Sequence, residues 1–226
     1  MLTKRAFDII ASAVGLLALL PVLATIALLV KLSSPGSVFY RQVRVGRHRR
    51  EFRLIKFRTM RADADRKGAL VTARGDARIT GVGKFLRRTK LDELPELWNV
   101  LVGDLSLVGP RPEVPRYVAH YRPEWEPVFR VRPGITDLAT LQFRDEEAVL
   151  AAASDSEQAY LEVIIPIKMR LALDYIARRS LWLDLKIIWL TVWGITFGRR
   201  WAKPAIELAE EARRLIRAMG SEQLIK

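Results

Sequence analysis

Residues 9–30 form a largely apolar run of 22 positions without a charge, opened by Lys4 and Arg5 and closed by Lys31. A straight helix of that length covers about 33 Å, enough for a hydrocarbon core of ~30 Å. Pro21 sits in its middle, where it removes a backbone donor and disfavours helical geometry in the residue before it. The basic residues at both ends pull both ends to the cytoplasmic side. Two readings stand on the residues alone: a Pro-kinked spanning helix, and a re-entrant helix broken at Pro21 that enters and leaves by one face. A cleaved signal peptide fits poorly, because the run is too long and Ser33-Ser34-Pro35-Gly36 is no small-x-small cleavage site.

Beyond the run the period changes. Residues 38–45 alternate apolar and basic positions, and residues 51–60 repeat the alternation with Phe52, Leu54 and Phe57 among charges. With Val45-Gly46-Arg47-His48 between them, the two stretches predict a β-hairpin with a strongly cationic face. Residues 62–78 are polar and unperiodic and read as a loop. Residues 85–102 read as a helix interrupted at Leu94-Pro95, and residues 157–178 as another helix. Val108-Gly109-Pro110-Arg111-Pro112 and Arg132-Pro133-Gly134 are stiff turns that each present an arginine.

Residues 181–197 are again apolar. At about 100° per residue, Trp182, Trp189 and Trp193 share one stripe, with Asp184 on the far side. That pattern suits a helix lying in the headgroup layer, the alternative being a core helix. Residues 204–220 follow helix grammar, with Pro204 near the start, Glu207, Glu210 and Glu211 early, Arg213, Arg214 and Arg217 late, and Gly220 at the end.

Charge sharpens this picture. The 226 residues carry 38 Lys and Arg against 25 Asp and Glu, a net charge of +13. Between Arg41 and Arg61 there are nine basic residues and one acid, directly after the apolar run. Such a block meets anionic lipid, phosphorylated substrate or nucleic acid. Half of the residues are apolar, which excludes a disordered basic tail. There is no cysteine, which excludes disulfide scaffolds, thiol catalysis and Cys-zinc sites, and His48 and His120 are too few for a His-rich metal centre.

The chemistry-bearing residues cluster in Arg87-Arg88-Thr89-Lys90-Leu91-Asp92-Glu93-Leu94-Pro95-Glu96-Leu97-Trp98-Asn99. Neither a Walker spacing nor G-x-G-x-x-G occurs, so a bound nucleotide must be held by arginines and a metal. Pro95 in a first helical turn would place Asp92 and Glu93 at a helix N-terminus, where free N–H groups favour an ionised carboxylate. Such a carboxylate can attack phosphorus or bind Mg²⁺; ordinary acidic capping is the plainer reading. Arg87, Arg88 and Lys90 before it, and Arg111 after it, are suited to clamping phosphate.

Six strings occur in order: Lys4-Arg5-Ala6-Phe7-Asp8, Lys56-Phe57-Arg58-Thr59-Met60, Leu91 through Leu101, Gly103-Asp104-Leu105-Ser106-Leu107-Val108-Gly109-Pro110-Arg111-Pro112, Arg132-Pro133-Gly134-Ile135-Thr136 and Leu183-Asp184-Leu185-Lys186. Their set resembles the bacterial sugar transferases, monotopic phosphoglycosyl transferases that start glycan assembly on polyprenyl phosphate. The resemblance runs from Lys4 to about Phe197. It implies a mainly helical α+β fold: a re-entrant N-terminal membrane helix over residues 1–33, broken at Pro21, and a small cytoplasmic-face catalytic domain over residues 34–201. That domain would carry the β-hairpin and interfacial amphipathic helices, with a C-terminal amphipathic helix over residues 202–226.

The resemblance further implies catalytic Asp92 and Glu93, both also as Mg²⁺ ligands, and substrate contacts from Lys56, Arg58, Arg87, Arg111 and Arg132. A UDP-sugar as donor, undecaprenyl phosphate as acceptor, a covalent phosphosugar intermediate on Asp92 and a place on the bacterial inner membrane go with it. A catalytic module without the long N-terminal extension of larger relatives is expected, and nucleic acid is not an expected partner. Two departures stand out: Leu20 where many relatives carry serine before the proline, and Asp137-Leu138-Ala139-Thr140 where many read Gly-Trp-Ala-Gln. The rival reading is a non-catalytic basic protein that binds membrane or nucleic acid, which explains the charge but not the Asp92-Glu93 pair.

Overall fold

A computed structural model describes residues 2–61, 76–142, 150, 153, 155–197, 210–212 and 214–216. The apolar run is two helices, α1 (Leu2–Ala18) and α2 (Leu20–Ser33), bent by 63°. No single helix among the described residues is long and apolar enough to cross a membrane, and this bent pair passes that test only jointly. The hinge is Leu19, two residues before the expected break, and Pro21 occupies the first turn of α2. The proline ring collides with the preceding turn, so the chain bends ahead of it, at a position where the missing N–H costs nothing.

Three polar side chains of α1 hold it to the rest of the molecule. Lys4 pairs with Asp184 at 2.5 Å. Arg5 donates to the carbonyls of Val100 and Leu101 at 2.6 and 2.9 Å. Buried Asp8 accepts from the Ser106 hydroxyl at 2.9 Å and the Leu107 N–H at 3.2 Å. The start of α1 is thus fixed to the domain, and the end of α2 is held there by Arg58, which donates to Ser34 carbonyl at 2.6 Å, so the two ends lie on one body, consistent with the re-entrant reading.

The hairpin is β1 (Phe39–Val45) and β2 (Glu51–Phe57), antiparallel with Tyr40 opposite Lys56 and Arg44 opposite Phe52. Its turn places His48 and Arg49 at φ 57° and 58°. The basic residues of the strands divide between the two faces of the hairpin. Arg41 and Arg44, like Arg53 and Lys56, are three apart, so a period of two sends them to opposite faces. Arg41 and Arg53 are exposed, whereas Arg44 and Lys56 turn inward to carboxylates. A nucleic-acid surface loses part of its charge by this arrangement.

Helix α3 (Gly81–Thr89) ends at Lys90, which adopts the left-handed conformation at φ 59°. A 3₁₀ turn over Leu91–Glu93 leads into α4 (Glu96–Val102), which Gly103 closes at φ 103°. The predicted single helix is therefore broken twice, at Lys90 as well as near Pro95. A second, parallel pair, β3 (Ser106–Val108) and β4 (Gly134–Thr136), is too short to show as a sequence period. The backbones meet so closely there that a Cβ on Gly134 would fall 2.1 Å from the Gly109 nitrogen.

Short helices α5 (Pro115–Val118) and α6 (Leu138–Gln142) flank these turns. Helix α7 (Ile165–Arg178) is entered through a turn at Ser156–Ala159 and a π turn at Tyr160–Ile164, and packs its buried face with Trp125, Val128 and Phe129. Helix α8 (Leu181–Phe197) buries Asp184 and Ile187 and exposes Trp182, Trp189 and Val192. It is not a core helix; its apolar outer side faces away from the domain, as the tryptophan stripe predicts. Residues 210–212 and 214–216 are helical, with Ala212 and Ile216 joining the main core. The rest of the predicted C-terminal helix, and residues 62–75 of the predicted loop over residues 62–78, lie outside the described residues. The architecture is mainly helical α+β with two small two-stranded sheets.

Candidate active site

Pro95 organises the Asp92-Glu93 segment, though not as a first-turn residue: it is the N-cap of α4. With no N–H at Pro95, the chain ahead of α4 runs on tight i→i−3 bonds, Leu94 N to Leu91 O at 3.4 Å and Leu97 N to Leu94 O at 3.2 Å. Asp92 and Glu93 sit in that 3₁₀ turn, both 8 % exposed. Adjacent residues diverge around a helical turn, and the two carboxylates meet different surroundings.

Glu93 is gripped by cations. Its Oε1 accepts from Lys56 Nζ at 2.9 Å and from the Arg111 guanidinium at 2.7 Å. Burial pushes its carboxyl up, but Arg111, Lys56 and Lys90 outweigh burial and hold it well below the usual range. Arg111 is correspondingly raised, chiefly by Glu93. Asp92 behaves differently. Its Oδ1 is buried without a hydrogen-bond partner. Burial, then Glu93, raises its carboxyl above the ordinary value against the pull of Lys56, Lys90 and Arg87. The helix terminus is expected to lower this carboxyl; burial, the largest effect on it, sets the opposite direction.

Glu96 completes the cluster and was given no role by the sequence reading. It lies 3.1 Å from Lys56 Nζ, off the hydrogen-bonding direction, so its Oε1 also lacks a hydrogen-bond partner. Burial raises it to about 7, with Lys56 lowering and Glu93 raising. One turn on, Asn99 accepts from Ile55 N–H at 3.0 Å and donates to Arg53 carbonyl at 2.9 Å. That amide satisfies the edge of β2 and fixes Lys56 relative to α4. The spacing of three through Glu93, Glu96 and Asn99 is the signal that marks one helix face.

The structure brings Lys56, Arg111, Asp92 and Glu93 together and sets Arg87, in the last turn of α3, close enough to favour the Asp92 carboxylate. Two of the expected substrate contacts, Arg58 and Arg132, bond main-chain carbonyls, and Arg58 keeps a buried Nε and Nη1 without a hydrogen-bond partner. Arg58 closes the C-terminal end of α2, donating to Ser34 carbonyl at 2.6 Å and Ser34 Oγ at 3.0 Å. Arg132 donates to Gly103 carbonyl at 2.8 Å, just past the end of α4 opposite to Asp92. Asp137, within the departure from the family pattern, accepts from Arg111 N–H at 3.2 Å and Thr140 N–H at 2.6 Å.

A bent apolar helix pair fixed to a small α+β domain, with a buried Asp-Glu-Glu cluster under lysine and arginine, defines the class of domain. The chain belongs to the bacterial sugar transferase family, whose sequence profile matches residues 1–198. Over 206 residues it is 42% identical to the undecaprenyl-phosphate glucose phosphotransferase of Komagataeibacter xylinus, covering 88% of this chain and 37% of that protein. It is 40% identical over 195 residues to the UDP-glucose:undecaprenyl-phosphate glucose-1-phosphate transferase of Escherichia coli K12, covering 84% of this chain and 39% of that protein. The chain thus spans well under half the length of these two relatives. The exopolysaccharide production protein PSS of Rhizobium leguminosarum bv. phaseoli is 38% identical over 205 residues, which cover 85% of this chain and 94% of that protein.

Proposed function

We propose that this chain transfers a sugar 1-phosphate from a UDP-sugar to undecaprenyl phosphate at the cytoplasmic face of the bacterial inner membrane, as the membrane step that begins a polysaccharide. Family membership and the relatives' activities support the reaction class. The observation that carries it to particular residues is the pairing of an Asp92 oxygen with no partner and a Glu93 clamped by Lys56 and Arg111.

In the first displacement an Asp92 oxygen attacks the β-phosphorus of the donor. The bond from that phosphorus to the α–β bridging oxygen breaks, and the nucleoside monophosphate leaves with the bridging oxygen. In the second, an oxygen of undecaprenyl phosphate attacks the same phosphorus, the acyl–phosphate bond breaks, and Asp92 regains its carboxylate. Burial makes Asp92 more basic and so a stronger nucleophile. Lys56 and Arg111 neutralise charge on the phosphoryl oxygens, where most of the catalysis of such transfers arises, and Arg87 assists.

The residues fit Mg²⁺. No group of three or more acidic or histidine side chains forms a metal cage among the described residues. Mg²⁺ needs none, because it keeps water and substrate phosphate as ligands beside one or two carboxylates. Asp92 and Glu93 are the two carboxylates that would hold it. When bound, the ion adds positive charge beside the diphosphate. Residues 1–33 act as the re-entrant anchor and residues 34–201 as the catalytic domain, with the tryptophans of α8 in the headgroup layer.

The test is nucleoside monophosphate release from a panel of UDP-sugars, with and without undecaprenyl phosphate and EDTA, with intact mass measured on donor alone. A phosphosugar adduct is expected on wild type and not on Asp92→Asn. An adduct on Asp92→Asn overturns the nucleophile, and full activity in EDTA overturns the metal.

A further inference from the structure

Both cations on Glu93 are aimed by the hairpin, but by different routes. Lys56 belongs to β2 itself. Arg111 stands on a turn whose Pro110 and Pro112 have no N–H to give. Its entry is held by Gly134 N–H on Pro110 carbonyl at 3.0 Å and by Arg111 N–H on Asp137 at 3.2 Å, and its exit is fastened to β1. Val45 N–H donates to Glu113 carbonyl at 2.9 Å. Arg44 donates to Pro112 carbonyl at 2.9 Å and to the Glu113 carboxylate at 3.2 Å, and Gln42 braces Arg44 from its other edge at 2.6 Å.

Glu113 is 5% exposed, and its other oxygen accepts from the Tyr160 hydroxyl, which in turn accepts from Lys168 at 3.2 Å. A buried carboxylate with charged and hydroxyl partners is rigid, because releasing any partner strands the rest. We propose that Glu113, held by Arg44 and Tyr160, is a positioning residue that fixes the turn aiming Arg111 at Glu93. It touches no substrate and acts through Arg111. The inference rests on the reading above, in which Arg111 serves the phosphosugar transfer.

The experiment is a cycle on the purified full chain: Glu113→Gln, Tyr160→Phe, Arg111→Ala, and each of the first two combined with Arg111→Ala. The readouts are kcat and KM for the UDP-sugar active in the panel, and the unfolding temperature. Glu113→Gln and Tyr160→Phe should each lower kcat by about 10-fold, the scale of sub-ångström misplacement of a catalytic charge. In the Arg111→Ala background neither should lower it further, although both still shift the unfolding temperature. Tyr160→Phe, which removes one oxygen, keeps the test alive if Glu113→Gln does not fold. Losses that multiply in the double variants overturn the inference, since Glu113 and Tyr160 would then act independently of Arg111. An Arg111→Ala variant with full activity overturns the role of Arg111 itself, and the inference with it.

Discussion

Asp184→Asn tests the re-entrant arrangement energetically. Asp184 in α8 is nearly enclosed and Lys4 partly so, their side chains being 2% and 21% exposed with 2.5 Å between charges. The Tyr175 hydroxyl holds the other Asp184 oxygen at 2.6 Å. An amide can still accept from Tyr175, so the substitution removes chiefly the charge facing Lys4. Breaking one side of a buried pair costs about 3–5 kcal/mol. The residual exposure of Lys4 puts this case near the lower figure, about 3 kcal/mol. For a chain of this size that is a fall of roughly 6–12 °C in unfolding temperature. The assay is thermal unfolding of the purified chain in nanodiscs at one scan rate, with Lys4→Met/Asp184→Leu alongside. Removing both charges also removes both desolvation costs, so the double variant should regain most of the loss. Lys4 at the start of α1 can couple to α8 only if the bent pair returns to the side it entered. A double variant no more stable than Asp184→Asn would refute the coupling and the reasoning built on it.

Glu96→Gln should change how stability depends on pH. A folded-state carboxyl raised from 4.5 to about 7 gives stability that is fully present below pH 4.5 and lost as pH rises through 7. Unfolding temperatures of variant and wild type should therefore agree at pH 4 and diverge by pH 8 in favour of Gln, by up to about 3 kcal/mol; equal values at pH 8 would count against the buried charge. Asp92→Asn should end turnover yet unfold no earlier than wild type near neutral pH, since burial already opposes the carboxylate; a loss of several degrees would show that the carboxylate stabilises the fold. Pro21→Leu relieves a helix penalty of roughly 3 kcal/mol and should straighten the pair toward a spanning helix. A cysteine at Thr3 would then become reactive to impermeant maleimide in intact cells, whereas labelling of the Pro21 background would refute the re-entrant reading.

The residues by themselves determined whatever depends on nearest neighbours along the chain. Pro21 marked an interruption of the apolar run, alternation marked the hairpin, and the spacing of Trp182 and Trp189 against Asp184 marked a two-sided helix at residues 181–197. Identity of motif carried Asp92, Glu93, Lys56 and Arg111 to one site. What the chain order could not reveal is which partner each charge takes. Arg58 and Arg132 have the residue type of phosphate ligands, but folding brings carbonyls at the ends of α2 and α4 beside them, and each guanidinium gives one nitrogen to such a carbonyl, Arg58 Nη2 and Arg132 Nε. Asp92 has the sequence context of an ionised helix cap, but burial is a three-dimensional quantity and reverses the direction of its shift. Glu96 and Glu113 look like ordinary surface acids in the string. They become buried because α4 packs on β2 and the Arg111 turn packs on β1, contacts between residues 40 to 70 positions apart that no local pattern encodes.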